Sequence, residues 1–176
     1  MSLELCKSIQ ESAADTGAAT VILADVSGSM RDAGKIGMLR QALATIWPEA
    51  RKARLFAFAD SVTACSEPSE LPDPYGGTEM DLALDRAAAL MPAKVIVISD
   101  GLPSSEERTL DAASRVPGVI DVVYCGPESD RRAVAFMRRL GSIGGGQTVI
   151  RDIAKTRALL APVLREMLAL PNPIAL

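Results

Sequence analysis

Thr20-Val21-Ile22-Leu23-Ala24-Asp25-Val26-Ser27-Gly28-Ser29 is the stretch on which the fold of this chain turns. Its first five residues are apolar or β-branched and read as a buried strand. With apolar side chains on both faces, the strand belongs in the middle of a parallel sheet. A carboxylate and two hydroxyls then follow at alternate positions, 25, 27 and 29. Alternate residues of an extended segment point the same way, and Gly28 lets the backbone turn tightly between them. Three hard oxygen donors therefore fall on one small patch where a strand becomes a loop. Such oxygens suit Mg2+, Ca2+ or Mn2+ rather than zinc. Taken alone, the motif reads equally well as a polar strand-to-helix turn in which Asp25 or Ser29 caps a helix.

Two later stretches add donors at the same kind of place. Gly76-Gly77-Thr78 opens a second helix after a Pro-rich acidic loop. Ser99-Asp100-Gly101 ends a second buried strand, Val95-Ile96-Val97-Ile98. The resulting set, Asp25, Ser27, Ser29, Thr78 and Asp100, resembles the von Willebrand factor A (VWA) domain with its metal-ion-dependent adhesion site. That family pairs D-x-S-x-S with a Thr in a separate loop and an Asp after a later strand, and all five positions are filled here in that order. The resemblance covers roughly residues 19–170. It implies that Ser27, Ser29 and Thr78 coordinate Mg2+ directly in the ligand-ready state, with Mn2+ or Ca2+ as alternatives. Asp25 and Asp100 would then act partly through water, leaving the ion electrophilic enough to take an Asp or Glu from a partner protein.

Strand and helix periods alternate along the chain. They predict an α/β fold: a doubly wound, Rossmann-like, mostly parallel six-stranded sheet with helices on both faces. Residues 54–60 and 62–66 are two strands with too short a connection for a crossover, so the second is an antiparallel edge strand, as the VWA family also has. Helices are expected at about 35–47 (closed by Pro48), 79–91 and from a capping box at Ser104-Ser105-Glu106-Glu107. A fourth, capped by Ser129 or Asp130, should end at Gly141. A last strand is expected at 147–150, after a flexible glycine turn, and a helical run at 152–170 kinked or restarted by Pro162. Residues 1–18 read as an N-terminal extension with a possible short helix, 19–170 as the domain and 171–176 as a tail. In doubly wound sheets ligands bind at the carboxyl ends of strands where the strand order reverses. Asp25 and Asp100 both fall at such ends.

Composition removes several function classes. The 176 residues fit one domain. With no His anywhere, Ser-His-Asp and Cys-His catalytic arrangements are impossible. Aromatics are only 3%, which leaves few platforms for stacking bases, and the net charge of −3 argues against polyanion binding. Arg131, Arg132, Arg138 and Arg139 read as a solvated helix face. The three cysteines, Cys6, Cys65 and Cys125, fit no disulfide or zinc spacing. Neither a secretion signal nor an apolar run of spanning length is evident. The expectation is a cytoplasmic protein that engages neither membrane nor nucleic acid.

The reading that follows is a non-enzymatic, metal-dependent protein-interaction module. Intracellular VWA proteins often work in assemblies, including those of AAA+ ATPases, so the resemblance implies a partner of that kind. The alternatives are a Mg2+-dependent phosphoryl-transfer or hydrolytic enzyme using Asp25, or a VWA scaffold whose metal site is not functional. Against the enzyme, a haloacid-dehalogenase-like phosphatase would carry an Asp where Ser27 stands. A nucleotide-binding loop would need G-x-G-x-x-G or a P-loop after the first strand. The glycine-rich run 141–146 follows a helix instead.

Overall fold

The computed structural model describes residues 20–50, 52–156 and 160–169. Among them six strands form one sheet: β1 (Thr20–Asp25), β2 (Arg54–Phe58), β3 (Val62–Cys65), β4 (Lys94–Ser99), β5 (Val119–Tyr124) and β6 (Gly145–Ile150). Their spatial order is β3-β2-β1-β4-β5-β6. All neighbours pair in parallel except β2 and β3, a hairpin that puts β3 antiparallel at one edge. The central strand is β1, and the order reverses between it and β4. The predicted doubly wound topology is the observed one.

Five helices cover the two faces: α1 (Lys35–Ala50), α2 (Met80–Ala88), α3 (Glu106–Ser114), α4 (Arg131–Ile143) and α5 (Leu160–Ala169). The period-two alternation of the strands sorts side chains between two cores. Ile22, Ala24, Ile96, Ile98 and Val123 meet Leu39, Leu43 and Ile46 of α1 and Leu164 and Met167 of α5. Val21, Leu23, Val95, Val97 and Val122 meet Met80 and Leu84 of α2, Leu110 of α3 and Phe136 and Met137 of α4. Both faces of β1 and β4 are thus dry. That burial fixes their register and so the positions of their polar carboxyl ends.

Several local expectations are corrected. Pro48 does not close α1, which continues to Ala50; the buried Ala50 packs with Leu43 and Ile46 on the same core, and that packing outweighs one missing backbone donor. Helix α2 stops at Ala88, and Met91 takes a positive φ of 50° before Pro92. Ser105, not Ser104, caps α3, its side chain accepting from Arg108 N at 3.3 Å. Asp130 caps α4, accepting from Ala133 N at 3.0 Å. That helix runs through Gly141 to Ile143. A Cβ at Gly141 would stand 2.3 Å from Thr148 Oγ1, so the glycine serves helix-to-strand contact rather than termination. Likewise Gly146 lies inside β6, where a Cβ would meet Ile120 O at 2.2 Å. The predicted glycine turn is partly strand.

Residues 152–156 form a turn closed on Asp152 rather than a helix. Pro162 lies inside α5, and the described helix runs unbroken from Leu160 to Ala169. The possible helix at 3–14, Cys6 and the 171–176 tail lie outside the described residues.

At the amino end of the parallel strands a buried cation ties three elements together. Lys94 Nζ donates to Met167 O of α5 at 2.8 Å and lies 3.1 Å from Asp121 Oδ2 of β5. Asp121 Oδ1 accepts from Gln147 N of β6 at 3.0 Å.

Candidate metal centre

The carboxyl ends of β1 and β4 lie side by side, and the loops that leave them carry four of the five expected donors. Asp25, the last residue of β1, is fully buried. Its Oδ1 accepts from Ser27 N at 2.7 Å and its Oδ2 from Ser99 Oγ at 2.5 Å. The Ser27 and Ser29 hydroxyls are 3.2 Å apart. Ser29 Oγ donates to Asp100 Oδ1 at 2.7 Å. Asp25, Ser27, Ser29 and Asp100 therefore form one polar network across the switch point.

The loop carrying Thr78 is fastened alongside. Tyr75 N donates to Val26 O at 2.9 Å and Gly28 N to Gly76 O at 3.1 Å, two rungs that hold the first and second loops in register. Gly76 has φ +61°, and a Cβ there would fall within 2.0 Å of the Asp60 carboxylate. The positive φ favours glycine there. Asp60 Oδ1 in turn accepts from Gly77 N at 2.6 Å. Thr78 is held from the other side by Ser104, which takes the Thr78 N–H on its Oγ at 3.2 Å and gives its own N–H to Thr78 O at 2.9 Å. Among the described residues no hydrogen bond joins the Thr78 hydroxyl to the other four donors. Its backbone is placed beside them, but its hydroxyl is not part of their network.

Lys35, Ser99, Asp60 and Ser104 belong to this arrangement and are not evident from the motif. Lys35 is the most consequential. Its Nζ lies 2.5 Å from Asp100 Oδ2 and donates to Ser29 O at 3.3 Å, with the residue only 7% exposed. It is the first residue of α1, reached through a short 3-10 segment (Gly28–Gly34) with a left-handed kink at Ala33 (φ 52°) and Gly34 (φ 70°). The amino end of a helix disfavours a cation. A lysine at that position was the available signal that something anionic lies opposite. Ser104 was concealed because Ser104-x-x-Glu107 matches a capping box, which assigns its side chain to the helix start instead.

The two carboxylates are in unlike surroundings. Asp100 shares its charge with Lys35, whereas among the described residues no cation lies against Asp25. Burial pushes the Asp25 carboxyl up from 3.8 to about 6; hydrogen bonds from Ser27 and Ser99 pull it back, and the Asp100 charge adds to the rise. Cys125, buried beneath the same loops, is pushed well above its ordinary value by burial first and then by the Asp100 and Asp25 charges. The thiol is an inert core group at neutral pH.

This donor set fits a hard divalent ion. Among the described residues no three His, Cys, Asp or Glu side chains converge as a metal cluster. The donors on offer are two carboxylates and several hydroxyls, and all of these are oxygens, as Mg2+ and Mn2+ prefer. A buried carboxylate without a counter-charge is the kind of deficit that a bound cation relieves.

No protein-family model matches the chain, and no curated protein matches it. Solved structures do. Manganese-loaded TRAP protein of Plasmodium vivax superposes with a TM-score of 0.58 at 21% identity, over 84% of this chain and 73% of that one. The human COPII-coat protein Sec24c superposes with a TM-score of 0.56 at 10% identity, over 86% of this chain and 32% of that one. At these identities the likeness establishes the fold: a VWA-like α/β domain, spanning about a third of the Sec24c chain. Among the described residues no helix is long and apolar enough to cross a membrane.

Proposed function

We propose that this domain is a divalent-metal-dependent protein-interaction module. Ser27, Ser29 and Thr78 would offer hydroxyls to Mg2+, or to Mn2+ or Ca2+, with Asp25 and Asp100 supplying charge directly or through water. An Asp or Glu of a partner protein would complete the shell. The observation that carries this reading is the polar network linking Asp25, Ser27, Ser29 and Asp100 at the β1–β4 switch point. The manganese-loaded state of the TRAP structure supports it by analogy of fold. The bound ion would supply an electrophilic centre for a carboxylate. The chain's own part is to present the donors and to hold Asp25 in place through the hydrogen bonds from Ser27 N and Ser99 Oγ. Thr78 would join from a loop held beside the network by the Tyr75–Val26 and Gly28–Gly76 hydrogen bonds.

Catalysis by Asp25 is disfavoured. Both of its oxygens accept hydrogen bonds and the residue is buried, which suits a carboxylate held in place better than one that attacks a substrate. We assign the protein no enzymatic role and place it in the cytoplasm, with an assembly such as that of an AAA+ ATPase as the setting, and with neither membrane nor nucleic acid as partner. The test is affinity capture with wild type and Asp25→Ala, each with Mg2+ and with EDTA. A protein recovered only by wild type with Mg2+, and lost when one of its own acidic residues is replaced, is the expected result. Equal recovery in all four arms would refute the metal requirement.

A further inference from the structure

We propose that Lys35 is a tethered cation of the metal centre, which weakens the site's hold on the ion while strengthening the ion's hold on an acidic ligand. The proposal rests on the metal-binding reading above. Lys35 Nζ sits against Asp100 Oδ2 at 2.5 Å and against Ser29 O at 3.3 Å, so it touches two of the residues assigned to the ion. It is nearly enclosed, and its only ion-pair partner among the described residues is Asp100. The kink at Ala33 and Gly34 delivers it there against the preference of a helix start for negative charge.

Charge decides the consequence. Asp25 and Asp100 together would cancel the charge of a divalent ion and leave nothing to attract a carboxylate. Lys35 cancels Asp100 instead. The occupied site then keeps one net positive charge. An incoming Asp or Glu meets that charge. The ion itself, however, is repelled by the ammonium and must share Asp100 with it. Removing the Lys35 charge should therefore move two affinities in opposite directions. A merely structural lysine would lower both or neither.

The experiment uses Mn2+ as the ion and acetate as the carboxylate. Water-proton relaxation reports both Mn2+ binding and displacement of its water by acetate. Wild type is compared with Lys35→Met, Lys35→Gln, which keeps a hydrogen-bonding side chain of similar reach, and Lys35→Arg, which keeps the charge. Both neutral variants should bind Mn2+ roughly tenfold or more tightly, and acetate to their Mn2+ complexes correspondingly more weakly. Lys35→Arg should stay close to wild type. If Lys35→Met leaves Asp100 unpaired and does not fold alone, Lys35→Gln gives the same reading, and recovery of its thermal transition by Mn2+ is a second one. Unchanged or weaker Mn2+ binding by the neutral variants, with wild type binding normally, overturns the role of Lys35 alone. Absence of Mn2+ binding by every form overturns the metal reading as well. Binding by the neutral variants but not by wild type supports the proposal in its strongest form, the lysine then outcompeting the ion.

Discussion

Asp25 and Asp100 are the same residue type within one network, yet their neighbours give them different chemistry. Asp100 has a lysine; Asp25 has only hydrogen bonds and burial. In metal-free protein the folded state therefore favours neutral Asp25, with its titration raised from 3.8 to about 6. Between those values the folded chain binds more protons than the unfolded one, so this group's contribution to stability falls as pH rises. The shift corresponds to about 3 kcal/mol at full ionisation. Asp25→Asn is always neutral and escapes that loss. In EDTA, urea unfolding of wild type relative to Asp25→Asn should show wild type losing ground from pH 4 to pH 7. Parallel curves would mean that Asp25 is not the strained carboxylate described here. Saturating Mg2+ should remove most of the difference in slope. The alternate oxygens of residues 25, 27 and 29 after a buried strand were a local pattern, to which later stretches and the family resemblance added Thr78 and Asp100. Lys35 and Ser99 escaped because each gains its meaning from a partner across the switch point, 65 and 74 residues away.

At the scale of elements, two close approaches hold the loops and strands in place. Gly126 follows β5, and a Cβ there would stand 2.2 Å from Asp100 O. Gly126→Ala should push the Asp100 loop away and destabilise the fold by roughly 1–3 kcal/mol. Mn2+ affinity should fall in the same variant, whereas an unaltered affinity and melting curve would show that the loop can yield. At the other end of the strands Lys94 joins β4, β5 and α5 through Asp121 and Met167 O. Lys94→Met leaves Asp121 buried without its cation and should cost about 3–5 kcal/mol in chemical denaturation. The double variant Lys94→Met/Asp121→Leu should recover much of that loss, and equal destabilisation of single and double variants would contradict the pairing. Strands β1, β4 and β5 were legible because their apolar runs are long and bounded by turns. Helix ends were less legible. Pro48 and Gly141 are ordinary stop signals locally, but the packing of Ala50 and the contact between Gly141 and Thr148 carry both helices past them.

For the whole molecule, the sheet positions the loops and the ion would draw them together. Ligand that binds only the folded state stabilises it by RT ln(1 + [L]/Kd). Mg2+ at about a hundred times its dissociation constant should raise the melting temperature by roughly 5–10 °C. Asp25→Ala and Ser29→Ala should lose that increment; its retention would locate the ion elsewhere. The topology, with its single antiparallel edge, followed from alternating periods and one connection too short for a crossover. The union of the three loops depended on tertiary contacts, Gly28 with Gly76 and Thr78 with Ser104, that no single stretch encodes. Whether the Thr78 hydroxyl completes the set is therefore the central question. Anomalous diffraction from crystals of the wild-type protein soaked in Mn2+ answers it most directly. The expected result is one strong peak within ligand distance of the Ser27, Ser29 and Thr78 hydroxyls, with Asp25 and Asp100 directly behind them. A map with no peak there would contradict the assignment.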